Sequence, residues 1–408
     1  MSVEKIQLCS PEECTGCMAC QQICSNQAIS ITYIKGFANP LINHDLCKKC
    51  NQCVNVCPIL NVKKKCGNKH ENEKTCFAGY NKNDESRIKS SSGGVFSVFA
   101  EKIISQGGVV FGAAWNDRLE LEHKFIESVD NLDDLRRSKY VQSNIKDSYK
   151  ETLAFLKERR KVLFCGTPCQ IAGLKNFLGN KDFDNLLTVD ILCQGVPSPL
   201  LFRKYISEVE SKVKTKIIDC DFRSKKYGWR CGLIMLLSTF VKGKRIEIEK
   251  KSDENSFYNS FIREYFLRPT CYKCKFKNDQ QGYYSDVTLA DFWRIGNRYP
   301  YKVKNYEKGI SAIVLNTEKG KRFLGTCSSD LVLSERCWDE FLTNGGLRSS
   351  HEPLDNDDAY AYLQSHSWSE TQNKFFPVTL MRRFKIFIMV TLGEKNIRKI
   401  MKMMGKIR

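Results

Sequence analysis

Two runs of four cysteines with the same internal spacing lie near the start of the chain. In each run, two residues separate the first three cysteines from one another, and three residues precede the fourth. The runs are Cys14, Cys17, Cys20 and Cys24, and then Cys47, Cys50, Cys53 and Cys57, which Pro58 follows. Three thiolates at this spacing can bind one face of an iron–sulfur cube, while the following helix carries the fourth away. The pattern therefore predicts two [4Fe-4S] clusters, whose chemistry is the transfer of electrons.

Zinc and disulfide bonds explain these two runs less well. A zinc site uses four ligands as two separated pairs, so the third cysteine of each triplet would have no role. Disulfide frameworks are typical of small secreted domains, whereas this chain has 408 residues. The short, mixed stretch Met1–Leu8 does not resemble a signal peptide, so we expect the thiols to bind metal in a reducing compartment.

The first 62 residues resemble the two-cluster ferredoxins of bacteria. In such proteins each cluster takes three cysteines from one run and the fourth from the other. The resemblance implies that the ligands of cluster 1 are Cys14, Cys17, Cys20 and Cys57, and that those of cluster 2 are Cys24, Cys47, Cys50 and Cys53. Ser25 stands where the first motif usually has proline, a change that leaves the ligand set complete.

The composition favours an intracellular protein of two or three domains. The chain contains 20 cysteines, which is many for such a protein unless the thiols are bound to metal. Its formal net charge of +19 would suit nucleic acid, an anionic membrane surface or an acidic redox partner. No helix-turn-helix, RNP-type or zinc-finger signature accompanies the charge, so we expect no nucleic-acid binding. No apolar run approaches the ~20 residues of a membrane span, and we expect a soluble, cytoplasmic protein.

Part of the positive charge is concentrated near the end of the chain. Basic residues from Arg382 to Arg408 alternate with apolar residues such as Phe384 and Phe387, and Glu394 is the acid among them. The pattern predicts a basic amphipathic helix. Two interpretations stay open, namely peripheral contact with a membrane or partner, and an ordinary solvated terminal helix.

Short apolar strands alternate with helices from about residue 151. Val162–Cys165 and Leu186–Leu192 have the pattern of buried strands, and helical patterns follow each of them. This alternation predicts an α/β region with a parallel sheet. The strands lead into the turns Cys165–Cys169 and Cys193–Pro197. Because ligands of open α/β sheets lie beyond the carboxyl ends of the strands, both turns should face one crevice.

A turn rich in serine and glycine precedes a helical pattern at residues 95–104. It consists of Ser90, Ser91, Ser92, Gly93 and Gly94. The serines suit a helix N-cap. The glycines let the backbone approach a ligand, and free N–H groups at a helix start can bind phosphate. The turn is therefore either a phosphate site or a plain capping turn.

Four further cysteines could form another metal site. Cys169 and Cys193 follow the two strands, and Cys271 and Cys274 form a separate C-x₂-C pair. Their spacing alone allows a third [4Fe-4S] cluster, a zinc site or unrelated buried cysteines. Cys165 competes for a ligand position.

Five motifs occur in an order that resembles a known family. They are Ser91–Gly94, Gly166–Gln170, Cys193–Ser198, the pair Cys271 and Cys274, and Asp286–Trp293. Together they resemble the beta subunits of coenzyme F-420 (8-hydroxy-5-deazaflavin) hydrogenases and dehydrogenases, over about residues 77–340. Related members include flavin- and ferredoxin-dependent reductases of chlorophyll metabolism and homologues among bacterial polysaccharide-synthesis proteins.

The resemblance implies an FAD beside a third [4Fe-4S] cluster. Cys169, Cys193, Cys271 and Cys274 match the ligand positions of that cluster. The residues implied in flavin binding are Ser92, Gly93, Gly94, Gly166 and Thr167. Asp291 either orders the cluster loop or caps the turn, and no catalytic residue is assigned.

The predicted organisation is a multidomain α+β or α/β protein. Residues 1–62 form a ferredoxin-type 2[4Fe-4S] domain, and a linker follows at 63–76. Residues 77–150 form the N-terminal region of the beta-subunit part, and 151–345 form its α/β region with the third cluster and the flavin. Residues 346–408 form a C-terminal extension.

The predicted function is that of an iron–sulfur flavoprotein oxidoreductase. Clusters carry single electrons, whereas flavin also accepts two, so FAD would connect the clusters to a two-electron donor or acceptor. We expect a ferredoxin or a hydrogenase or dehydrogenase subunit as partner, and a deazaflavin coenzyme or an organic substrate, such as one of polysaccharide biosynthesis. One alternative is an electron-transfer subunit with no substrate of its own. The other is a non-redox binding or structural protein whose clusters only hold the fold.

Overall fold

The computed structural model describes residues 6–61, 75–230, 234–250, 256–277, 284–297, 299, 301–303, 305–342 and 344–403. The strands are β1 (Ile29–Ile34), β2 (Phe37–Ile42), β3 (Thr75–Asn81), β4 (Val109–Trp115), β5 (Leu121–Ile126), β6 (Val162–Gly166), β7 (Leu186–Ile191), β8 (Ile217–Ser224), β9 (Ile234–Val241), β10 (Lys244–Lys250), β11 (Val287–Asp291), β12 (Ser311–Leu315) and β13 (Leu331–Arg336). The helices are α1 (Ala19–Ile23), α2 (Gln52–Asn55), α3 (Asp84–Lys89), α4 (Val95–Ile104), α5 (Leu132–Leu135), α6 (Ser148–Lys157), α7 (Pro168–Phe177), α8 (Pro199–Val213), α9 (Ser256–Ile262), α10 (Pro269–Tyr272), α11 (Glu318–Thr326), α12 (Trp338–Phe341), α13 (Asn356–Ser365), α14 (Trp368–Phe375) and α15 (Leu380–Met403).

The ferredoxin-type region consists of two similar cysteine loops and the hairpin β1–β2. Each short helix carries the third cysteine of its run, Cys20 in α1 and Cys53 in α2. The residue before each helix has a left-handed backbone, with φ of 55° at Met18 and 60° at Asn51. Such conformations are uncommon outside glycine, and their recurrence at equivalent positions shows that the two cysteine runs fold as a structural repeat.

An eight-stranded mixed sheet forms the centre of the rest of the protein. Its strand order is β13-β3-β12-β11-β7-β6-β4-β5. The inner strands β11, β7, β6 and β4 are parallel, whereas β12, β3 and β13 on one side and β5 on the other pair antiparallel. The predicted parallel sheet is thus the centre of a larger mixed sheet, and the predicted multidomain α/β fold class is confirmed.

A second layer lies over one end of this sheet. It contains the three-stranded antiparallel sheet β10-β9-β8 together with α8, α9, α13 and α14. Aromatic side chains fill its core, and Phe202, Phe257 and Trp368 are almost fully buried there. Trp115, at the end of β4, stacks on Phe202 with ring centroids 5.3 Å apart, so this layer is packed onto the carboxyl end of a central strand.

Two sequence-based boundaries fall at the edges of the described residues. Residues 63–74 of the predicted linker lie outside them, and Thr75 and Cys76 already belong to β3. At the other end, α15 confirms a helix in the basic C-terminal region, although Gly393 interrupts it with a φ of 69°. Among the described residues, no helix is long and apolar enough to cross a bilayer.

Helix α15 presents large apolar side chains to solvent. Leu380, Met381, Phe384 and Phe387 are mostly exposed, whereas Ile386 is buried. This distribution agrees with an amphipathic helix. Its contact with a membrane or partner stays a prediction.

Candidate functional site

Five thiols line a small cavity inside the ferredoxin-type region. The cavity holds about 20 Å³, and its wall includes Cys14, Cys17, Cys20 and Cys57, the four ligands implied for cluster 1, together with Cys9. The four implied ligands are only 7–9% exposed. A hydrogen bond to Cys9 lowers the pKa of Cys14 to about 6, against burial and with help from the charge of Arg268. Because four cysteine thiols share one buried cavity wall, their residue type and position fit the ligand set of an iron–sulfur cluster.

The four ligands implied for cluster 2 lie closer to solvent. Cys53 is buried, Cys24 and Cys47 are half-buried, and Cys50 is exposed. Burial raises the pKa of Cys53, and the charges of Cys47 and Cys50 raise it further. Cys24 packs against the apolar group that contains Cys53. The second set of cysteines therefore lies nearer to the surface than the first.

Cys169, Cys193, Cys271 and Cys274 come together at the edge of the eight-stranded sheet. Burial raises the pKa of Cys169, and the charges of the other three thiols raise it further. Burial likewise raises the pKa of Cys193 to about 11 and that of Cys271 to about 12. These pKa shifts show that the four thiols lie near one another, and cysteine is the residue type that ligates iron–sulfur clusters.

Cys165 lines the same cavity as these four thiols. Burial raises its pKa to about 12, and its charged neighbours are Asp190 and Lys139 rather than the four cysteines. Burial also raises the pKa of Asp190 to about 7.

A cavity of about 530 Å³ adjoins the four thiols. It lies beyond the carboxyl ends of β4, β6, β7 and β11, and Gly166, Leu192 and Asp291 contribute to its wall. Both turns that were predicted to face one crevice line it. Its volume falls within the range of about 300–1,000 Å³ that is usual for small-molecule and cofactor sites.

Positive charge dominates the wall of this cavity. The basic lining residues are Arg136, Arg137, Lys139, Arg223, Arg268, Lys277 and Arg348. Among the described lining residues, the single acid is Asp291, and its Oδ2 lies 2.8 Å from Nη1 of Arg223. Burial lowers the pKa of Lys139 to about 7. Carboxylates outside the wall pair with Arg136, Arg137 and Arg348, so only part of this positive charge is available to an anionic ligand such as a diphosphate.

The serine- and glycine-rich turn borders the cavity, but no serine caps α4. Gly94 occupies the N-cap position with a φ of 82°, so the predicted serine N-cap is wrong. Ser92 Oγ instead donates to Ile310 O at 2.9 Å, and Gly93 N donates to Ser311 Oγ at 3.0 Å. These bonds anchor the turn to the loop before β12 and to β12 itself.

Glycine at position 93 serves packing between the turn and β3. A Cβ atom there would lie 2.4 Å from Gly79 O, so a larger residue would not fit. Ser92 and Gly94 line the cavity, whereas Gly93 is buried behind them. Of these three residues implied in flavin binding, Ser92 and Gly94 are placed to reach a ligand.

Gly166 and Thr167 line the cavity where β6 leads into α7. Thr167 N donates to Gln170 Oε1 at 2.9 Å, and Thr167 Oγ1 lies 3.2 Å from Cys169 Sγ. The N–H of Thr167 is therefore paired within the protein, and its hydroxyl is directed at the thiol. Hydrogen bonds to ligating sulfur atoms tune the reduction potential of a cluster.

A buried histidine supports this turn from below. His123 Nε2 lies 3.0 Å from Cys165 O, and His123 Nδ1 lies 2.9 Å from Ser143 Oγ. Burial lowers the pKa of His123 to about 4, so the ring is neutral and Nε2 donates to the carbonyl. Gln170 Nε2 also donates to Ser143 Oγ, at 3.0 Å. The network was not predicted, because nothing in the spacing of these residues indicates it.

Asp291 holds two side chains at the cavity wall. Besides the ion pair with Arg223, its Oδ1 accepts a hydrogen bond from Trp229 Nε1 at 2.9 Å. The Arg223 guanidinium also lies over the Trp293 ring, 4.6 Å from its centroid. The carboxylate therefore orders a cation and an aromatic wall, a role that the sequence did not predict.

Helix α7 connects the four cavity thiols to the ferredoxin-type region. Cys169 is its second residue, and one turn later a Cβ atom on Gly173 would lie 3.0 Å from Cys17 Sγ. Tyr149 is fully buried beside them, donates to Gln170 O at 2.8 Å, and has Cys17, Cys169 and Cys20 as its charged neighbours. The Cys17 thiol thus lies about one helical turn, ~5.4 Å, along α7 from Cys169.

Arg268 joins the same two regions and is almost fully buried. Its Nε donates to Cys14 O at 2.5 Å, its Nη2 to Ala38 O at 3.0 Å, and its Nη1 to Gln142 Oε1 at 2.8 Å. It also stands three residues before Cys271. One guanidinium therefore contacts the backbone of an implied cluster 1 ligand and begins the loop that carries two cavity thiols.

The ferredoxin-type region and the α/β region each match a known protein family. Residues 159–339 match the family described as the C terminus of the beta subunit of coenzyme F420 hydrogenase/dehydrogenase, and residues 13–60 match the 4Fe-4S dicluster domain. The chain is similar to the F subunit of the F(420)H(2) dehydrogenase of Methanosarcina mazei, with 23% identity over 347 residues that cover 79% of this chain and 84% of that protein. A chain of the F420-reducing [NiFe] hydrogenase complex from Methanosarcina barkeri aligns with a TM-score of 0.41 and 13% identity, covering 76% of this chain and 93% of the other.

The two family matches confirm the resemblance that the motifs indicated. They cover the paired cysteine runs and the α/β region with its four further cysteines. The protein is an iron–sulfur protein related to electron-transfer subunits, and its residues 159–339 are similar to the C-terminal parts of the beta subunits of coenzyme F420 hydrogenases and dehydrogenases.

Proposed function

We propose that this protein is an iron–sulfur flavoprotein oxidoreductase that passes electrons between its clusters and, through FAD, a two-electron donor or acceptor. The observation that carries the proposal is the cavity of about 530 Å³, whose wall contains the four sheet-edge thiols, the two glycine turns and a surplus of cations. Four thiols, a cofactor-sized space and basic side chains lie together there. FAD would supply the exchange between single-electron and two-electron transfer.

The burial of the thiols supports an order for the electron path. Cys50 of the cluster 2 set is exposed and can be approached by a partner, whereas the cluster 1 set is buried. The cluster 1 set in turn contacts α7 through Cys17 and Gly173. The path would therefore run between partner, cluster 2, cluster 1, a third [4Fe-4S] cluster on Cys169, Cys193, Cys271 and Cys274, and FAD. It could carry electrons in either direction.

Residues at opposite ends of the cavity would hold different parts of FAD. Ser92, Gly94 and Arg137 would bind its phosphates, because the turn before α4 and a cation meet there. Ser138 N donates to Ser91 Oγ at 2.7 Å, which holds these two segments together. Gly166 and Thr167 would lie against the ring system, next to Cys169.

The walls of the cavity would limit access of water to the flavin. Tyr140, Tyr258 and Phe261 line it, and the rings of Tyr140 and Phe261 pack with centroids 4.6 Å apart. The ion pair of Arg223 with Asp291 closes the side near Trp293. Excluding water from this space would strengthen the charge interactions inside it.

The relatives of this protein suggest a first candidate substrate to test. The similar protein from Methanosarcina mazei is named as part of an F(420)H(2) dehydrogenase. A reduced or oxidised deazaflavin coenzyme is therefore the first candidate, with organic substrates next. The same relative favours a partner subunit, and so keeps open the alternative that this chain transfers electrons without a substrate of its own.

The test is anaerobic reduction of the reconstituted protein. With iron, sulfide and FAD supplied, we expect about twelve iron atoms per chain and one bound flavin, which reduced ferredoxin bleaches. Addition of oxidised deazaflavin should then reoxidise the flavin. Flavin that is reduced but reoxidised by no candidate would favour the electron-transfer subunit, and failure to bind any flavin would contradict the proposal.

A matched pair of variants tests the proposed phosphate contact. Arg137→Gln should weaken FAD binding about tenfold, the loss expected for one charge-assisted hydrogen bond, while the cluster signals stay unchanged. Arg118→Gln makes the same change at an exposed position outside the cavity and should leave FAD binding as it was. Equal FAD affinity of the two variants would contradict the assignment of Arg137.

A further inference from the structure

The small cavity of the ferredoxin-type region contains one thiol more than a cluster needs. Cys14, Cys17, Cys20 and Cys57 complete the ligand set implied for cluster 1, and Cys9 is the fifth thiol in the same wall. Cys9 lies outside residues 13–60, which match the dicluster family, so it does not belong to that repeating pattern. It is half-buried, and its side chain packs into the apolar group that includes Cys17 and Cys57.

The contacts of Cys9 single out two of the four implied ligands. Its Sγ lies 3.9 Å from Cys57 Sγ, and it forms a second thiol hydrogen bond with Cys14. Cys9 Sγ would therefore move by no more than 3.9 Å to occupy the position of Cys57 Sγ. Cys20 shares the cavity but is not among the thiols that hydrogen-bond to Cys9.

We propose that Cys9 is a reserve ligand of cluster 1, able to take the place of Cys57. When Cys57 is lost, the Cys9 thiol would release its proton to solvent and its thiolate would form the iron–sulfur bond that Cys57 no longer makes. Four thiolate ligands are restored and no electron is gained or lost. Cluster 1 would then keep its four iron atoms, which it would otherwise lose together with its fourth ligand.

The covalent position of Cys9 makes such an exchange feasible. Cys9 precedes Cys14 by five residues, and Glu13 N and Cys14 N both donate to Ser10 O, at 3.1 and 2.9 Å. This tight turn holds the Cys9 segment beside the cluster 1 loop. Because the exchange needs a short side-chain movement within an already formed cavity, it requires no rearrangement of the ferredoxin-type fold.

Four variants of the full-length protein test the proposal without any measurement of activity. After anaerobic reconstitution, Cys20→Ala should lose about four iron atoms per chain, because Cys9 cannot replace it. Cys57→Ala should retain them, Cys9→Ala should retain them as well, and the double variant Cys9→Ala/Cys57→Ala should lose them. The electron paramagnetic resonance signal of cluster 2 reports whether each variant has folded.

Alkylation identifies the thiol that binds iron. In reconstituted Cys57→Ala, iodoacetamide should leave Cys9 unmodified until a chelator removes the iron, and peptide mass spectrometry measures this protection. Loss of iron from Cys57→Ala to the same extent as from Cys20→Ala would overturn the proposal, as would a retained cluster with Cys9 freely alkylated. A signal of an oxidised [3Fe-4S] cluster in Cys57→Ala would overturn it too.

The test of Cys9 as a reserve ligand can fail or succeed independently of the test of the proposed function. The inference rests on the ligand set of cluster 1 and not on the flavin or the substrate. Full retention of iron by Cys20→Ala would contradict that ligand set, whereas absence of flavin binding would leave the comparison of Cys57→Ala with the double variant intact.

Discussion

The two metal sites of the ferredoxin-type region have the same cysteine spacing and the same local backbone, yet their surroundings differ. The four thiols implied for cluster 1 are 7–9% exposed, and they border the α/β region. In the cluster 2 set, Cys50 is exposed and the adjacent Lys48 and Lys49 are exposed as well. The repeat in the sequence thus gives one buried site, the inner site of cluster 1, and one exposed site, the outer site of cluster 2.

The difference teaches that two sites with the same ligand spacing can differ in solvent exposure because the rest of the protein packs differently around them. Reduction potentials of iron–sulfur clusters depend on solvent exposure and on hydrogen bonds to sulfur, so the two sites should differ in potential. The outer site can meet a soluble carrier, whereas the inner site meets only this chain. Each of the following predictions tests whether the inner and outer sites differ in this way, or measures how much they differ.

Removing an inner-site thiol should have the largest effect. Cys20→Ala should leave the outer cluster reducible by ferredoxin but slow the reduction of bound flavin by at least about 100-fold, because the path through cluster 1 is interrupted. Stopped-flow absorbance would follow both steps. Cys327→Ala, which truncates a buried thiol outside all three groups, is the matched control and should change neither rate. Rapid flavin reduction in Cys20→Ala would show that electrons bypass the inner site.

Replacing the buried guanidinium between the two regions should have the next largest effect. Arg268→Met would leave buried acceptors at Cys14, Ala38 and Gln142 unpaired, at a cost of about 3 kcal/mol in the free energy of unfolding. Urea unfolding followed by circular dichroism measures the loss. Arg263→Met removes a single bond to Pro377 O near the surface and should cost less than about 1 kcal/mol. Equal losses in the two variants would mean that Arg268 does not anchor the interface.

Chelation should remove the outer cluster before the inner one. With an iron chelator under anaerobic conditions, we expect the cluster 2 signal to decay several-fold faster than the cluster 1 signal, because Cys50 is exposed and the cluster 1 thiols are buried. Electron paramagnetic resonance at timed intervals measures both, with Cys50→Ala and Cys20→Ala assigning the signals. Simultaneous decay would remove the distinction between the sites.

Changing the charge beside the outer site should have the smallest effect. Lys48→Glu should raise the ferredoxin concentration needed for half-maximal reduction by about threefold at low salt, because an acidic carrier would meet a repulsive charge. The difference should shrink as salt is added. Lys157→Glu, at the end of α6, makes the same change away from the outer site. If Lys157→Glu had an equal effect, net charge rather than local docking would be responsible.

The parts of the structure that the sequence predicted well are those set by local spacing. The strands predicted at Val162–Cys165 and Leu186–Leu192 are present as β6 and β7, and the helix predicted at residues 95–104 is present as α4. The crevice beyond β6 and β7 followed from the general geometry of parallel sheets. In each case the residues that determine the feature lie within one element or its turn.

The parts that were missed depend on contacts between distant segments. Arg268 binds Cys14 across 254 positions, and Arg223 binds Asp291 across 68, distances over which no periodic pattern extends. The serine N-cap failed because Ser92 hydrogen-bonds to Ile310, 218 positions away, rather than to its own helix. Cys9 could have been noticed as an unpaired thiol before the first run, but its closeness to Cys57 comes only from folding.

The contact between the cysteine loops and helix α6 also bears on the kinetic order of the reaction. Gln22 Oε1, in α1, accepts hydrogen bonds from Tyr149 N at 3.0 Å and Lys150 N at 3.3 Å, so the ferredoxin-type region is held against the α/β region by the fold itself. For separate proteins, each turnover would require a bimolecular encounter whose rate depends on concentration and salt. Here the internal transfer would be unimolecular and independent of dilution, and only the exchange with outside carriers would remain second order.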